Sequence, residues 1–349
     1  MKKIATQNLA ALYAAISEKY PLYLPVTQGA ALNFAPYFNG AEVNLTQLKT
    51  VKSPKDLFFP QSEDMMRFEK KGGKWQITDL AKKRSPFVLF GVRACDYKAF
   101  EVLDNVFLND PKDTYYAHRR EAAIIVTLAC FSPKDSCFCN AFDIDAAAPQ
   151  GDIAAYLIKS ELYLQPQTEK GDALLHSIGG VNGALSEAEA ADVTAVNEER
   201  IKAKAAFEKL PFASLDLSVF GKDMKETFAD EKWEKLSQAC LGCGACTFVC
   251  PTCQCFDIRD FKAKDGIIRF RCWDSCMYSD FTQMAGGNPR TTQTQRFRQR
   301  FMHKLTYYPK RYGGTYSCVG CGRCVEKCPQ HLNIVKVIKE FSEGGKEEK

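Results

Sequence analysis

The sequence predicts two regions of different fold class, an α/β N-terminal domain and an α-helical C-terminal domain. The first prediction rests on two short apolar segments, 87–92 and 122–128, which are typical of buried strands and have a helical pattern between them. The second rests on short helical segments that alternate with cysteine-rich loops after residue 236. The alanine- and glutamate-rich segment 185–210 indicates a helical connector between the two.

A chain of 349 residues is long enough for more than one domain. We therefore expect an α/β domain over residues 1–185 and a helical connector over 186–235. The cysteine-rich domain then covers residues 236–343.

The two strands of the α/β domain flank a helix over residues 96–107, where apolar side chains recur at helical spacing. Asp96 stands at the start of this segment and is predicted to cap the helix. A strand, a helix and a strand in this order form a βαβ unit, which predicts a parallel sheet with a right-handed crossover.

Two further elements are predicted near the C-terminus. Asp265 and Gly266 separate two β-prone segments within 255–271, which favours a hairpin. Segment 291–308 predicts a helix that carries many basic residues, and the charged tail 344–349 predicts a frayed end.

Composition excludes several classes of protein. The hydrophobic fraction of 46% and the charged fraction of 26% are typical of a folded globular chain, and no apolar run is long enough to span a membrane. A net charge of +5, spread over no recognisable binding module, predicts no nucleic-acid partner. The first 20 residues show helical spacing rather than the apolar core of a signal peptide. We therefore expect a cytoplasmic protein.

The sixteen cysteines are the unusual feature of the composition. Dense disulfides belong to small secreted domains, so in a chain of this length and location a metal-binding role is favoured. Two runs repeat the spacing C-x2-C-x2-C-x3-C-P, formed by Cys240, Cys243, Cys246, Cys250 and Pro251 and by Cys318, Cys321, Cys324, Cys328 and Pro329.

This spacing is typical of ligands to [4Fe–4S] clusters. Glycines within each run let the backbone wrap closely, and in two-cluster proteins the fourth cysteine of a run binds the other cluster. We therefore predict that Cys240, Cys243, Cys246 and Cys328 bind one cluster and that Cys318, Cys321, Cys324 and Cys250 bind the second. Structural zinc is the alternative, but it is typically bound by separated cysteine pairs rather than by four cysteines in one run.

Four more cysteines lie at or after the ends of the two predicted strands: Cys95, Cys130, Cys137 and Cys139. Parallel neighbouring strands would bring them to one edge of the sheet, where ligands commonly bind. They predict a third iron–sulfur cluster, and the alternative is that some are small buried core residues.

The last four cysteines flank the predicted hairpin: Cys253, Cys255, Cys272 and Cys276. They could converge on a metal, but we favour spare thiols near the cluster site. The basic segment 290–311 also allows two interpretations. Its cations could offset cluster charge or dock an acidic partner, or they could form a solvated helix face.

Segments 90–96, 137–139, 246–253, 273–276, 288–290 and 318–324 resemble the iron–sulfur subunits of cytosolic sulfhydrogenases and anaerobic sulfite reductases. The resemblance extends over residues 55–335. It implies an α-helical, ferredoxin-like two-cluster domain. It also implies a subunit that relays electrons between a flavoprotein that binds FAD and NAD(P)H and a catalytic or further iron–sulfur subunit. The rival hypothesis is a catalytic heterodisulfide or thiol reductase that uses an unusual cluster on the hairpin cysteines.

Overall fold

The computed structural model describes residues 1–221, 223–264 and 266–342. Its strands are β1 (Lys2–Ala5), β2 (Leu22–Gln28), β3 (Ala31–Pro36), β4 (Ser62–Lys71), β5 (Lys74–Asp79), β6 (Phe87–Arg93), β7 (Ala123–Leu128), β8 (Ile153–Ile158), β9 (Glu161–Pro166), β10 (Ser186–Glu187), β11 (Phe256–Ala263) and β12 (Gly266–Trp273). Its helices are α1 (Leu9–Ser17), α2 (Ala94–Phe107), α3 (Thr114–Ala122), α4 (Glu169–Ser177), α5 (Ala190–Glu208), α6 (Met224–Ala229), α7 (Lys232–Ser237), α8 (Ala245–Phe248), α9 (Gln293–Met302), α10 (Tyr308–Arg311), α11 (Arg323–Lys327) and α12 (Ile334–Ser342).

The larger sheet has the strand order β10-β1-β9-β8-β7-β6-β2-β3. Strands β2, β6, β7 and β8 are parallel, and antiparallel strands complete both edges. Every residue of β6 and β7 is buried, because α1 and α4 pack on one face of the sheet and α2 and α3 on the other. The βαβ unit predicted from the two apolar segments is thus confirmed.

The predicted cap of helix α2 is wrong. The helix begins at Ala94 with Arg93 in the cap position, so Asp96 lies inside the first turn. Asp96 is buried and accepts two hydrogen bonds of 2.7 Å from the guanidinium of Arg323 in α11. The carboxylate therefore pairs with a distant cation instead of capping its own helix.

The smaller sheet joins segments that lie far apart in the chain. Its strand order is β11-β12-β4-β5, and the antiparallel pairing of β11 with β12 confirms the predicted hairpin. Strand β12 also pairs with β4, where buried Arg271 donates to Glu63 at 2.8 Å. The hairpin residue Asp265 and the tail 344–349 lie outside the described residues. The domain boundaries at residues 185 and 235 stay a prediction. Strand pairing nevertheless connects the regions on either side of them.

The predicted basic helix over 291–308 is present as α9, a π-helical turn at His303–Tyr307 and α10. Arg300 and Lys304 lie four residues apart and both are only 3% exposed. The helix therefore turns cations into the protein interior. No helix within the described ranges combines the length and hydrophobicity required to cross a bilayer.

Candidate metal centres

The first cysteine-lined cavity lies within the C-terminal region. Gly242 and Gly244 have φ angles of 66° and 72°, which turn the loop before α8. The Gly242 amide and the Gln293 side chain donate to Cys240 Sγ at 3.4 and 3.3 Å. The cysteines that line this cavity are Cys240, Cys243, Cys246 and Cys328.

A second cavity is formed mainly by the other cysteine run. It is lined by Cys250, Cys318, Cys321 and Cys324, together with Arg300 and Lys304. Each cavity thus takes three cysteines from one run and the last cysteine from the other. The structure brings together the two sets that the spacing predicts.

A third cavity lies at the carboxyl ends of β6 and β7. It is lined by Cys95, Cys130, Cys137 and Cys139, the four cysteines predicted to meet at this edge of the sheet, and also by Cys321. Arg93 at the end of β6 donates to the carbonyl of Ala129 at 2.9 Å and to Cys130 Sγ at 3.9 Å.

The loop before Cys139 and the loop of the second run are in direct backbone contact. The Phe138 amide donates to the Gly320 carbonyl at 2.9 Å. A Cβ on Gly320 would lie 2.3 Å from the Phe138 carbonyl oxygen, and one on Gly322 would lie 2.1 Å from that of Ser136. Only residues without a side chain allow this approach, which makes Cys321 part of the wall of both the second and the third cavity.

The three cavities form a series with the second in the middle. Arg300 lines both the first and the second. At the first cavity, Cys243 is exposed and Leu241 is 63% exposed, so this end of the series reaches the surface.

Buried cations surround these cavities. Burial lowers the pKa of Arg300 and Lys304, but neighbouring cysteine thiolates outweigh it and the net pKa shift is upward for both. Arg300 Nε has no hydrogen-bond partner, and in the described part of the chain neither cation pairs with a carboxylate. Buried cations need compensating anions, and thiolate-bound iron–sulfur clusters are anionic, so these residues fit such a group.

The buried thiols are disfavoured as free thiolates. Burial raises the pKa of Cys321 to about 12 and that of Cys318 still further. A metal replaces the proton, because the thiolate is the form that binds. Within 1–221, 223–264 and 266–342, no three His, Cys, Asp or Glu side chains converge on one metal ion. A [4Fe–4S] cluster would be held by one thiolate on each iron atom, not by several ligands on one ion. The feature that it requires is therefore a cavity lined by four cysteines.

The hairpin cysteines do not all meet. Cys255 and Cys276 lie close enough for a thiol to donate to a thiolate, and Cys253 lies beside them, similarly close to Cys250. The hydrogen bond with Cys276 lowers the pKa of Cys255 to about 7. Cys272 lies apart on β12, opposite Asp257.

Three polar residues contribute to these sites through pairings that the local sequence does not predict. Lys49 lines the third cavity and donates to Ser136 at 2.7 Å and to Glu326 at 2.8 Å. Asp96 and Arg323 pair beside Cys95 and Cys321. Their partners are far away in the chain, so only the folded structure identifies them.

The chain is similar to known iron–sulfur proteins, both within one domain and along its whole length. A family model described as a 4Fe-4S dicluster domain matches residues 239–332. The chain is 31% identical over 345 residues to the sulfhydrogenase 2 subunit beta of Pyrococcus furiosus, and the match covers 98% of each chain. No solved structure matches.

Proposed function

The chain belongs to the family of sulfhydrogenase beta subunits and carries a 4Fe-4S dicluster domain, and from this premise we propose that it relays single electrons in a cytoplasmic multisubunit oxidoreductase. Its partners in this proposal are a flavoprotein subunit that binds FAD and NAD(P)H and a catalytic or further iron–sulfur subunit. The observation that carries the proposal is the series of three adjoining cysteine-lined cavities.

The proposed ligands follow the cavities. Two [4Fe–4S] clusters are assigned to the first and second, on Cys240, Cys243, Cys246 and Cys328 and on Cys318, Cys321, Cys324 and Cys250. A third iron–sulfur cluster is assigned to Cys95, Cys130, Cys137 and Cys139. When bound, such clusters each gain or lose one electron.

The protein contributes positioning and charge. The contact of Gly320 and Gly322 with the 136–138 backbone holds the second and third cavities against each other. The exposed Cys243 offers one end of the series to a partner subunit. Buried cations favour a more negative, reduced centre beside them.

Iron and acid-labile sulfide per chain test this proposal, measured on the full chain purified without oxygen. We expect about 12 irons, which is four for each [4Fe–4S] cluster. The variant Cys139→Ser should lose about four of them, and the matched control Cys272→Ser should lose none, since Cys272 lines none of these three cavities. About eight irons in the unmodified protein would remove the third cluster, and zinc in place of iron would refute the proposal.

A second candidate function has a specific observation in its favour, the close approach of Cys253, Cys255 and Cys276 beside buried Lys55. The Lys55 ammonium donates to the Cys253 carbonyl at 2.7 Å and lies 4.0 Å from the centre of the Trp273 ring. A thiol reductase could use Cys255 and Cys276 to cleave a disulfide, with two electrons from the flavoprotein and two protons giving two thiols. Turnover of a heterodisulfide by the isolated chain, with a low-potential dye as electron donor, would favour this function over a pure relay.

A further inference from the structure

Arg300 is a buried cation placed between two cysteine-lined cavities. It projects from α9, is 3% exposed and lines both the first and the second cavity. Its guanidinium lies 4.4 Å from the centre of the Phe301 ring, and its Nε has no acceptor. The main ionisable neighbours of Arg300 are cysteines: Cys246 of the first cavity, Cys324 and Cys250 of the second, and Cys253.

A buried charge without a counter-ion destabilises a fold strongly. The carboxylates of the described residues leave Arg300 unpaired, while Asp96 pairs with Arg323 and Glu326 with Lys49. The anions that remain for Arg300 are the thiolates of both cavities and what they bind. Because Cys246 and Cys324 belong to different cavities, the same guanidinium compensates charge on both sides.

We propose that Arg300 is the shared counter-ion of the two clusters in the dicluster domain, which makes both easier to reduce and lessens the repulsion between electrons added to each. This inference rests on the proposed function, because it requires clusters in the first and second cavities. A positive charge stabilises the reduced state of a neighbouring cluster more than the oxidised state, since the reduced state is more negative. A charge between two such centres acts on both.

Lys304, one helical turn later, differs from Arg300 in two ways. Its ammonium donates to Thr252 Oγ1 at 2.8 Å and to the Ser317 carbonyl at 2.9 Å, and it lines the second cavity but not the first. Arg298, two residues before Arg300, donates instead to the Phe228 carbonyl at 3.0 Å and stacks on the Phe228 ring. Arg298 therefore provides a matched control on the same helix.

The test is a reductive titration of the full-length protein followed by EPR, after iron and sulfide have been counted in each sample. In Arg300→Gln, we expect the reduction equilibrium of both dicluster-domain centres to fall at least tenfold, which equals about 59 mV for a one-electron couple. Arg300→Lys should recover most of this change, and Arg298→Gln should remain within about threefold of the unmodified protein. The third cluster supplies an internal reference, since Arg300 does not line its cavity.

The outcomes separate this inference from the proposed function. Full iron content with unchanged potentials in Arg300→Gln overturns the role of Arg300 and leaves the relay intact, whereas an unmodified protein without iron overturns the relay itself. If Arg300→Gln loses iron, Arg300→Lys distinguishes a requirement for charge from a requirement for shape. Retention of iron in Arg300→Lys supports a requirement for charge. Equal loss from both variants would mean that the shape of the arginine is required, and the inference would be wrong.

Discussion

The contact between the two cysteine loops predicts a large effect of a single methyl group at Gly320. In Gly320→Ala, the new Cβ would lie 2.3 Å from the Phe138 carbonyl oxygen, 2.4 Å from its carbon and 2.5 Å from the Cys139 nitrogen. All three are backbone atoms, so no side-chain rotation relieves the overlap. The loops must separate by about 1 Å to reach ordinary contact distance, which also weakens the hydrogen bond from the Phe138 amide.

Gly313 is a matched control because its φ of 59° equals the 57° of Gly320 within two degrees and nothing lies within 4 Å of its Cβ position. Both alanine variants therefore share the left-handed backbone cost of about 1–2 kcal/mol. Gly320→Ala carries in addition an overpacking cost of about 1–3 kcal/mol and a weakened hydrogen bond of about 1 kcal/mol. We expect a difference of roughly 2–4 kcal/mol between the two variants.

Thermal unfolding at one fixed scan rate, without oxygen, measures this difference together with the iron count. The midpoint of Gly320→Ala should lie roughly 3–5 °C below that of Gly313→Ala. The proposed second and third clusters should lose iron, since the two loops in contact carry their proposed ligands. Equal midpoints and equal iron in the two variants would refute the close contact of the loops.

Two further predictions concern charge and thiol chemistry. Asp96→Asn leaves Arg323 buried without its counter-ion and should lower the free energy of unfolding by about 3–5 kcal/mol, whereas Asp260→Asn breaks an exposed pair of similar geometry and should change it little in the same denaturation series. Alkylation of Cys255, followed by mass spectrometry without oxygen, should speed up as pH rises through about 7, because the hydrogen bond with Cys276 lowers the pKa of Cys255 and the thiolate is the reactive form. A midpoint near the ordinary thiol value would contradict that hydrogen bond.

Short-range patterns in the sequence predicted the positions of the cysteines well. The exchange of Cys250 and Cys328 between cavities follows from the spacing of the two runs, and the meeting of Cys95 with Cys130 follows from adjacent parallel strands. That these groups bind clusters remains a prediction. Cys272 was grouped with its neighbours on the hairpin, but its place on β12 separates it from them.

Long-range pairing could not be predicted in the same way. The local pattern makes Asp96 a helix cap, and its partner Arg323 is 227 residues away. Strand β4 pairs with β12 by a register that neither segment encodes alone. Helical spacing places Arg300 and Lys304 on one face, but basic residues usually lie at the surface. Only the assembled cavities explain why this face is internal.

The shared wall at Cys321 also has a consequence for biogenesis. The four N-terminal cysteines of the third cavity have all been synthesised once residue 139 is added. The rest of its wall includes Gly320 and Cys321, which are made much later. At a translation rate of about 5–20 residues per second, the ribosome needs roughly 10–40 s to make the intervening segment. During that time, the part of the cavity wall that the C-terminal loop forms is missing. Assembly of the proposed third cluster would therefore either begin on an incomplete cavity or wait until the C-terminal loop has been released.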